Sequence, residues 1–223
     1  MYVTAPGEFP VPVSLRSRKT KHDENFKVHD LKQDQHLFRE GDDAKHIYEI
    51  VSGVLRLTRV LENGRRQVIA FGFPGDFVGF PCCGLHHTEC DAITPARVVY
   101  HRREALEDGA VNPELHAVLL QAALREIRAM QDHFMMLGCK SAREKTASFL
   151  SVLAQRTGTK LGAYTEIKLP MSRSDIADFL GLTTETVCRT ISQLRSAKVI
   201  ALEDPHVIVV LKPEALLALA ESD

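Results

Sequence analysis

The chain has 223 residues, a net charge of −1, and 44% hydrophobic and 26% charged residues. That is the balance of one large or two modest folded domains of ordinary globular composition, and nothing in the overall charge announces a polyanionic partner. No apolar run approaches the ~20 residues of a membrane span, and five cysteines, two of them adjacent, form no standard disulfide framework. The expectation is a cytoplasmic protein with reduced thiols.

Residues 1–24 are rich in proline and charge and lack the apolar core of a signal peptide, so they read as a loose extension. Residues 25–111 are short β-like runs cut by glycines. Tyr48, Ile50, Val54, Leu55, Leu57 and Val60 partly alternate, Gly53 interrupts them, Asn63-Gly64 marks a hairpin turn, and Val68, Ile69 and Phe71 resume the pattern. Many short strands with regular turns predict a sandwich, barrel or β-roll.

The texture changes at Asn112, a helix cap followed by Pro113, and the helix over 112–138 ends at Gly138. Leu120, Ile127 and Phe134 are seven apart, as are Ala123, Met130 and Leu137, alternating at spacings of 3 and 4. Such a helix either packs on its own β domain or forms a seam with a second copy. Its length, about 38 Å, and the absence of charge from these six positions favour a homodimer.

Residues 139–223 form the last predicted domain. Ser141 and Glu144 make a capping box for a helix over 141–156, "TGTKLGAY" reads as a turn-rich connector, and "EIKLP" as a strand. In "MSRSDIADFLGLTTETVCRTISQL", Ser172 caps a short helix, Gly181-Leu182 turns, and Thr183 caps a second helix with Val187, Ile191 and Leu194 on its inner face. That is a helix-turn-helix, and the two strands around Asp204-Pro205 read as a wing. The outward residues Thr184, Glu185, Cys188 and Arg189 then face base edges, Arg189 donating to guanine and Glu185 accepting from cytosine or orienting Arg189. Ser172, Arg173, Ser174 and Thr183 suit phosphate contact. Between 140 and 212 there are eleven Lys and Arg against seven Asp and Glu, a local balance of +4. A solvated pair of Glu185 with Arg189, four residues on, is the plainer alternative.

These residues resemble the Crp/Fnr superfamily of transcription regulators over nearly all of 25–223. The stretches that carry the resemblance are "FREGDDAKHIYEIVSGVLRL", "GRRQVIAFGFPGDFVGF", the long helix and the helix-turn-helix. Glu185, Cys188 and Arg189 match the E-x-x-S-R element of the Fnr and FixK branch. The resemblance implies an α+β protein with a cyclic-nucleotide-binding-like β-roll, a dimerisation helix and a C-terminal winged helix-turn-helix. It also implies a palindromic DNA site with TTGAT-like half-sites and contact with RNA polymerase. Residues 1–81 contain no cysteine, and Val99 stands where an Fnr-type sensor places a β-roll thiolate, so the four-thiolate iron–sulfur site is not expected. "GDFVGFPCCGLHHTECDA" offers Gly79-Phe80 and no arginine where nucleotide-binding relatives hold a cyclic phosphate. No cofactor is expected, as in FixK-type regulators.

Two thiol questions remain open at the level of sequence. Cys188 stands where serine is usual. It is either a plain substitute or a redox switch whose oxidation to a sulfinate sets a negative charge against DNA. Cys82, Cys83, His86, His87 and Cys90 are either core and loop residues or a Zn or Fe site that would make the β-roll a metal- or small-molecule-responsive sensor. No spacing of acid, histidine and nucleophile and no phosphate-binding glycine loop suggests an enzyme.

Overall fold

A computed structural model of the chain describes residues 28–81 and 83–221. The expected extension over 1–24 and Cys82 lie outside the described residues. The chain divides into two compact units, one ending at Arg128 and the other beginning at Ala129.

The first unit contains β1 (Val28–Leu31), β2 (His36–Phe38), β3 (His46–Ser52), β4 (Leu55–Val60), β5 (Arg66–Gly72), β6 (Phe77–Val78), β7 (Glu89–Ala92), β8 (Ala96–Arg102) and the short helix α1 (Glu104–Glu107). Two antiparallel sheets, ordered β1-β8-β3-β6 and β2-β7-β4-β5, form the β-roll. Period-2 alternation explains the pairing: Ile50, Leu55, Val68, Phe71 and Val98 are fully buried, while Val60, at the end of the run, is exposed. Gly53 has φ +81°, and a Cβ there would lie 2.3 Å from the Pro95 carbonyl oxygen, so only glycine fits the β3–β4 turn. At the predicted hairpin, Asn63 Oδ1 accepts from the Arg65 N–H at 3.0 Å. Tyr48 and Tyr100 meet edge to face at 5.2 Å on cross-strand neighbours, and burial pushes the Tyr48 phenol up to about 12.

Helix α2 (Pro113–Cys139) closes the first unit and opens the second. Asn112 caps it as its sequence predicts, with Oδ1 accepting from the Leu115 N–H at 3.0 Å. The helix packs on its own unit along one face and leaves a second apolar face exposed. Leu119 is fully buried in a cluster with Ile47 and Ala105 of its own unit. Leu120, Ile127, Met130 and Phe134 face solvent, Phe134 with 74% of its area exposed. Ala123 and Leu137 flank that stripe and are half-buried. Leu124 and Met135, which the heptad pattern does not include, are exposed beside it.

The second unit continues with α3 (Ala142–Thr157), β9 (Thr159–Leu161), β10 (Tyr164–Lys168), α4 (Arg173–Leu180), α5 (Thr184–Ser196), β11 (Ile200–Asp204), β12 (Val207–Val210) and α6 (Pro213–Glu221). Its sheet is ordered β11-β12-β10-β9. The Ser141–Glu144 capping box is formed, and the nine residues Lys145–Leu153 of α3 are all buried. The expected connector over 157–164 instead folds as a hairpin that adds β9 to the wing sheet. Helix α6 lies on α3, where Lys140 Nζ donates to Ser148 Oγ at 3.0 Å and to the Ala220 carbonyl.

Within this unit His133 of α2 is 6% exposed and stacks on Phe179 of α4 at 4.3 Å. Burial, with the charge of Lys145 acting in the same direction, lowers the imidazole to about 4. Above pH 6.5 the ring is neutral in both folded and unfolded chains and contributes no pH dependence. Below that, the unfolded chain takes a proton that the folded protein refuses until about pH 4, so stability falls with pH across this window. The expected loss from this group at pH 5 is about 2 kcal/mol. Urea unfolding at pH 5 and pH 7 checks this: His133→Gln should lose markedly less stability between the two than the parent chain.

Candidate nucleic-acid interface

The interface is built from α4, α5 and the β11–β12 wing. Ser172 caps α4 reciprocally: its hydroxyl accepts from the Asp175 N–H at 3.0 Å, and Asp175 Oδ2 accepts from the Ser172 N–H at 3.1 Å. The helix stops at Gly181, whose φ of +62° and ψ of +40° place it in the left-handed region, and the Leu182 N–H returns to the Ala177 carbonyl at 3.0 Å. Thr183 then caps α5, accepting from the Thr186 N–H at 3.1 Å. These local devices set the turn and the entry angle of the second helix.

On α5, Val187, Thr190, Ile191 and Leu194 are buried. Thr184, Glu185, Cys188 and Arg189 are exposed together on the opposite side, as the spacing of the inner residues requires. Glu185 and Arg189 are both exposed and form no ion pair with each other among the described residues. Cys188 is a free, exposed thiol. Ser192, one turn beyond Cys188, shares this face and was missed in the sequence. Its hydroxyl donates to the Cys188 carbonyl at 2.9 Å. The same i, i+4 arithmetic that selects Glu185 and Arg189 would have found it.

The four residues expected at phosphates are placed less uniformly. Ser174 is exposed with an uncommitted hydroxyl. The Thr183 hydroxyl accepts from the Thr186 N–H and shares a hydrogen bond with the Thr186 hydroxyl at 2.8 Å. The Ser172 hydroxyl donates to Asp175 Oδ2 at 2.7 Å, so its proton is already used. Arg173 departs from expectation. Its Nη2 donates to the Pro205 carbonyl at the wing turn, 2.8 Å away, and its Nη1 is buried without a hydrogen-bond partner among the described residues. The physical reason is its position at the first turn of α4, beside the wing, and partial desolvation lowers its guanidinium from the usual value.

The surface charge is more positive than the composition. Eight of the eleven Lys and Arg over 140–212 are exposed, but of the seven acids only Glu185, Glu203 and Asp204 are. Lys145 is buried in α3, and Lys140 binds the end of α6. Over this stretch the exposed charge is therefore net positive.

In the first unit the cysteine–histidine run is scattered. Cys90 is fully buried in β7, where desolvation pushes its thiol up. His86 is 3% exposed and stacks on Phe38 at 3.8 Å, while Cys83 and His87 face solvent. Among the described residues no group of three or more His, Cys, Asp or Glu is placed to hold a metal. The four-thiolate iron–sulfur ligation does not fit these residues. Around Gly79 a Cβ would sit 2.9 Å from the Tyr48 ring and 3.2 Å from the rings of His86 and Phe38, and residues 79–92 include no lysine or arginine to meet a cyclic phosphate.

A capped helix-turn-helix with a wing, presenting an unpaired polar face on its second helix, defines a sequence-reading DNA-binding protein. Residues 28–110 match the cyclic nucleotide-binding domain family, and residues 144–219 match the Crp-like helix-turn-helix domain family. The nitrogen fixation regulation protein FixK of Azorhizobium caulinodans is 39% identical over 180 residues, covering 79% of this chain and 73% of that protein. The FixK of Rhizobium meliloti is 36% identical over 188 residues, covering 84% of each. The structure of FixK2 from Bradyrhizobium japonicum superposes with a TM-score of 0.81 at 31% identity, covering 90% of this chain and 100% of that one. The chain belongs to the Crp/Fnr family of DNA-binding transcription regulators and is FixK-like.

Proposed function

We propose that two copies of this chain bind a palindromic operator with TTGAT-like half-sites, each copy reading one half-site with Thr184, Glu185, Cys188 and Arg189. The observation that carries this reading is the undivided outer face of α5: four exposed side chains over a fully buried inner stripe, with Glu185 and Arg189 free of internal ion pairs. Arg189 offers a two-pronged donor for guanine O6 and N7, and Glu185 an acceptor for cytosine N4. Ser174 and the free N–H groups at the start of α4, next to the exposed lysines and arginines, supply the phosphate register.

The homodimer rests on the outer stripe of α2. Leu120, Leu124, Ile127, Met130, Phe134 and Met135 form an uncharged apolar strip along one helix, the kind of surface that a second helix covers. The protein acts in the cytoplasm on RNA polymerase bound nearby and catalyses no reaction. Neither a cyclic nucleotide nor an iron–sulfur cluster sets its activity. The lack of any cysteine in 1–81 and of any lysine or arginine in 79–92 supports this reading.

Cys188 gives the interface its own signal. A sulfinate at this exposed position would be a fixed anion among base edges and phosphates, opposing both. The residue at this position is therefore a redox off-switch.

Anisotropy titrations on a TTGAT palindrome across a salt series test the reading directly. The expected result is a steep salt slope, with Arg189→Ala weakening binding by about 10- to 100-fold and flattening discrimination at the contacted base pair. Equal affinity for operator and scrambled DNA would refute it. Ile127→Asp should sediment as a monomer and lose operator binding, and a dimeric variant would remove α2 as the seam. After peroxide, the parent protein should lose operator affinity while Cys188→Ser keeps it. Parallel loss in both would exclude the switch.

A further inference from the structure

We propose that Arg173 is a positioning residue that fixes the wing to the head of α4, rather than a group that meets a phosphate. The wing turn over 205–206 is held at two points. One is on the strand side: the Leu169 N–H donates to the His206 carbonyl at 2.8 Å, and His206 Nδ1 lies 3.1 Å from the Leu169 carbonyl. The other is Arg173 Nη2, which donates to the Pro205 carbonyl across 32 positions of sequence. Among the described residues, no other hydrogen bond of the turn ties it to α4 or α5.

Three observations favour anchoring over phosphate contact. The donor nitrogen is committed to a carbonyl, which is an acceptor fixed by the hairpin. The other terminal nitrogen, Nη1, has no solvent-exposed surface, so an incoming phosphate oxygen cannot reach it while the side chain keeps this conformation. The third is position: Arg173 is the first residue of α4 and reaches the Pro205 carbonyl of the wing turn, so one guanidinium joins the head of that helix to the hairpin. A charge-assisted bond from a delocalised, permanently charged fork is well suited to such a junction, because it holds a neutral carbonyl without needing a counter-charge. The functional consequence is geometric. The wing and the recognition helix approach one duplex as a single body, and the register between them is set by this contact instead of being found anew at each encounter.

The test uses full-length Arg173→Met and Arg173→Gln, so that one folded variant suffices. Two quantities are read: the slope of log K against log salt on the operator, and amide hydrogen exchange at His206 and Val207. Anchoring predicts that operator affinity falls by about tenfold, that the salt slope is unchanged, and that wing exchange rises by about tenfold while the melting midpoint stays near that of the parent. A phosphate role predicts a slope flatter by about 0.9 for each protomer bound. A flattened slope, or wing exchange at the parent's level in a folded variant, overturns the proposal.

Discussion

The interface depends on the burial of Val187, Ile191 and Leu194 against the rest of the second unit. These three side chains fix the rotation of α5 about its axis. Once they are inside, a pitch of about 3.6 residues per turn leaves the residues at 184, 185, 188, 189 and 192 no orientation but outward. Full burial of such side chains is worth about 1.5–3 kcal/mol each, more than any single polar contact on the outer face can oppose. The exposed face of α5 is thus specified by the residues buried behind it.

Much of this was legible in the sequence because it is local. The capping boxes at Ser141 and Ser172, the left-handed Gly181 and the Thr183 cap each involve residues within four positions of one another, and the inner stripe of α5 follows one period. What escaped depends on partners far along the chain. Strand β9 exists because β10 offers it an edge. Helix α6 is signalled by Pro213 and an alanine–leucine run, but its place is decided by Lys140 and Ser148, more than seventy positions earlier. Arg173 looked like a surface cation because no local rule places the Pro205 carbonyl next to it.

Helix α2 shows how one helix can carry two apolar faces. A heptad of apolar residues argues for a seam, and an amphipathic stripe argues for packing at home. Here the buried Leu119, Ala122, His133 and Met136 lie on one side, and the strip from Leu120 to Met135 on another. In sequence the two look like a choice, because a single period describes a single face. A helix with two apolar faces needs the coordinates to separate them.

The pairing of Tyr48 with Tyr100 has an optical consequence. The chain contains no tryptophan and four tyrosines. Two of these phenols touch inside the β-roll, and Tyr164 stands at the start of β10 in the wing sheet. None lies on α4 or α5. Ultraviolet emission from this protein therefore draws in part on the β-roll, while α4 and α5 carry no tyrosine or tryptophan of their own.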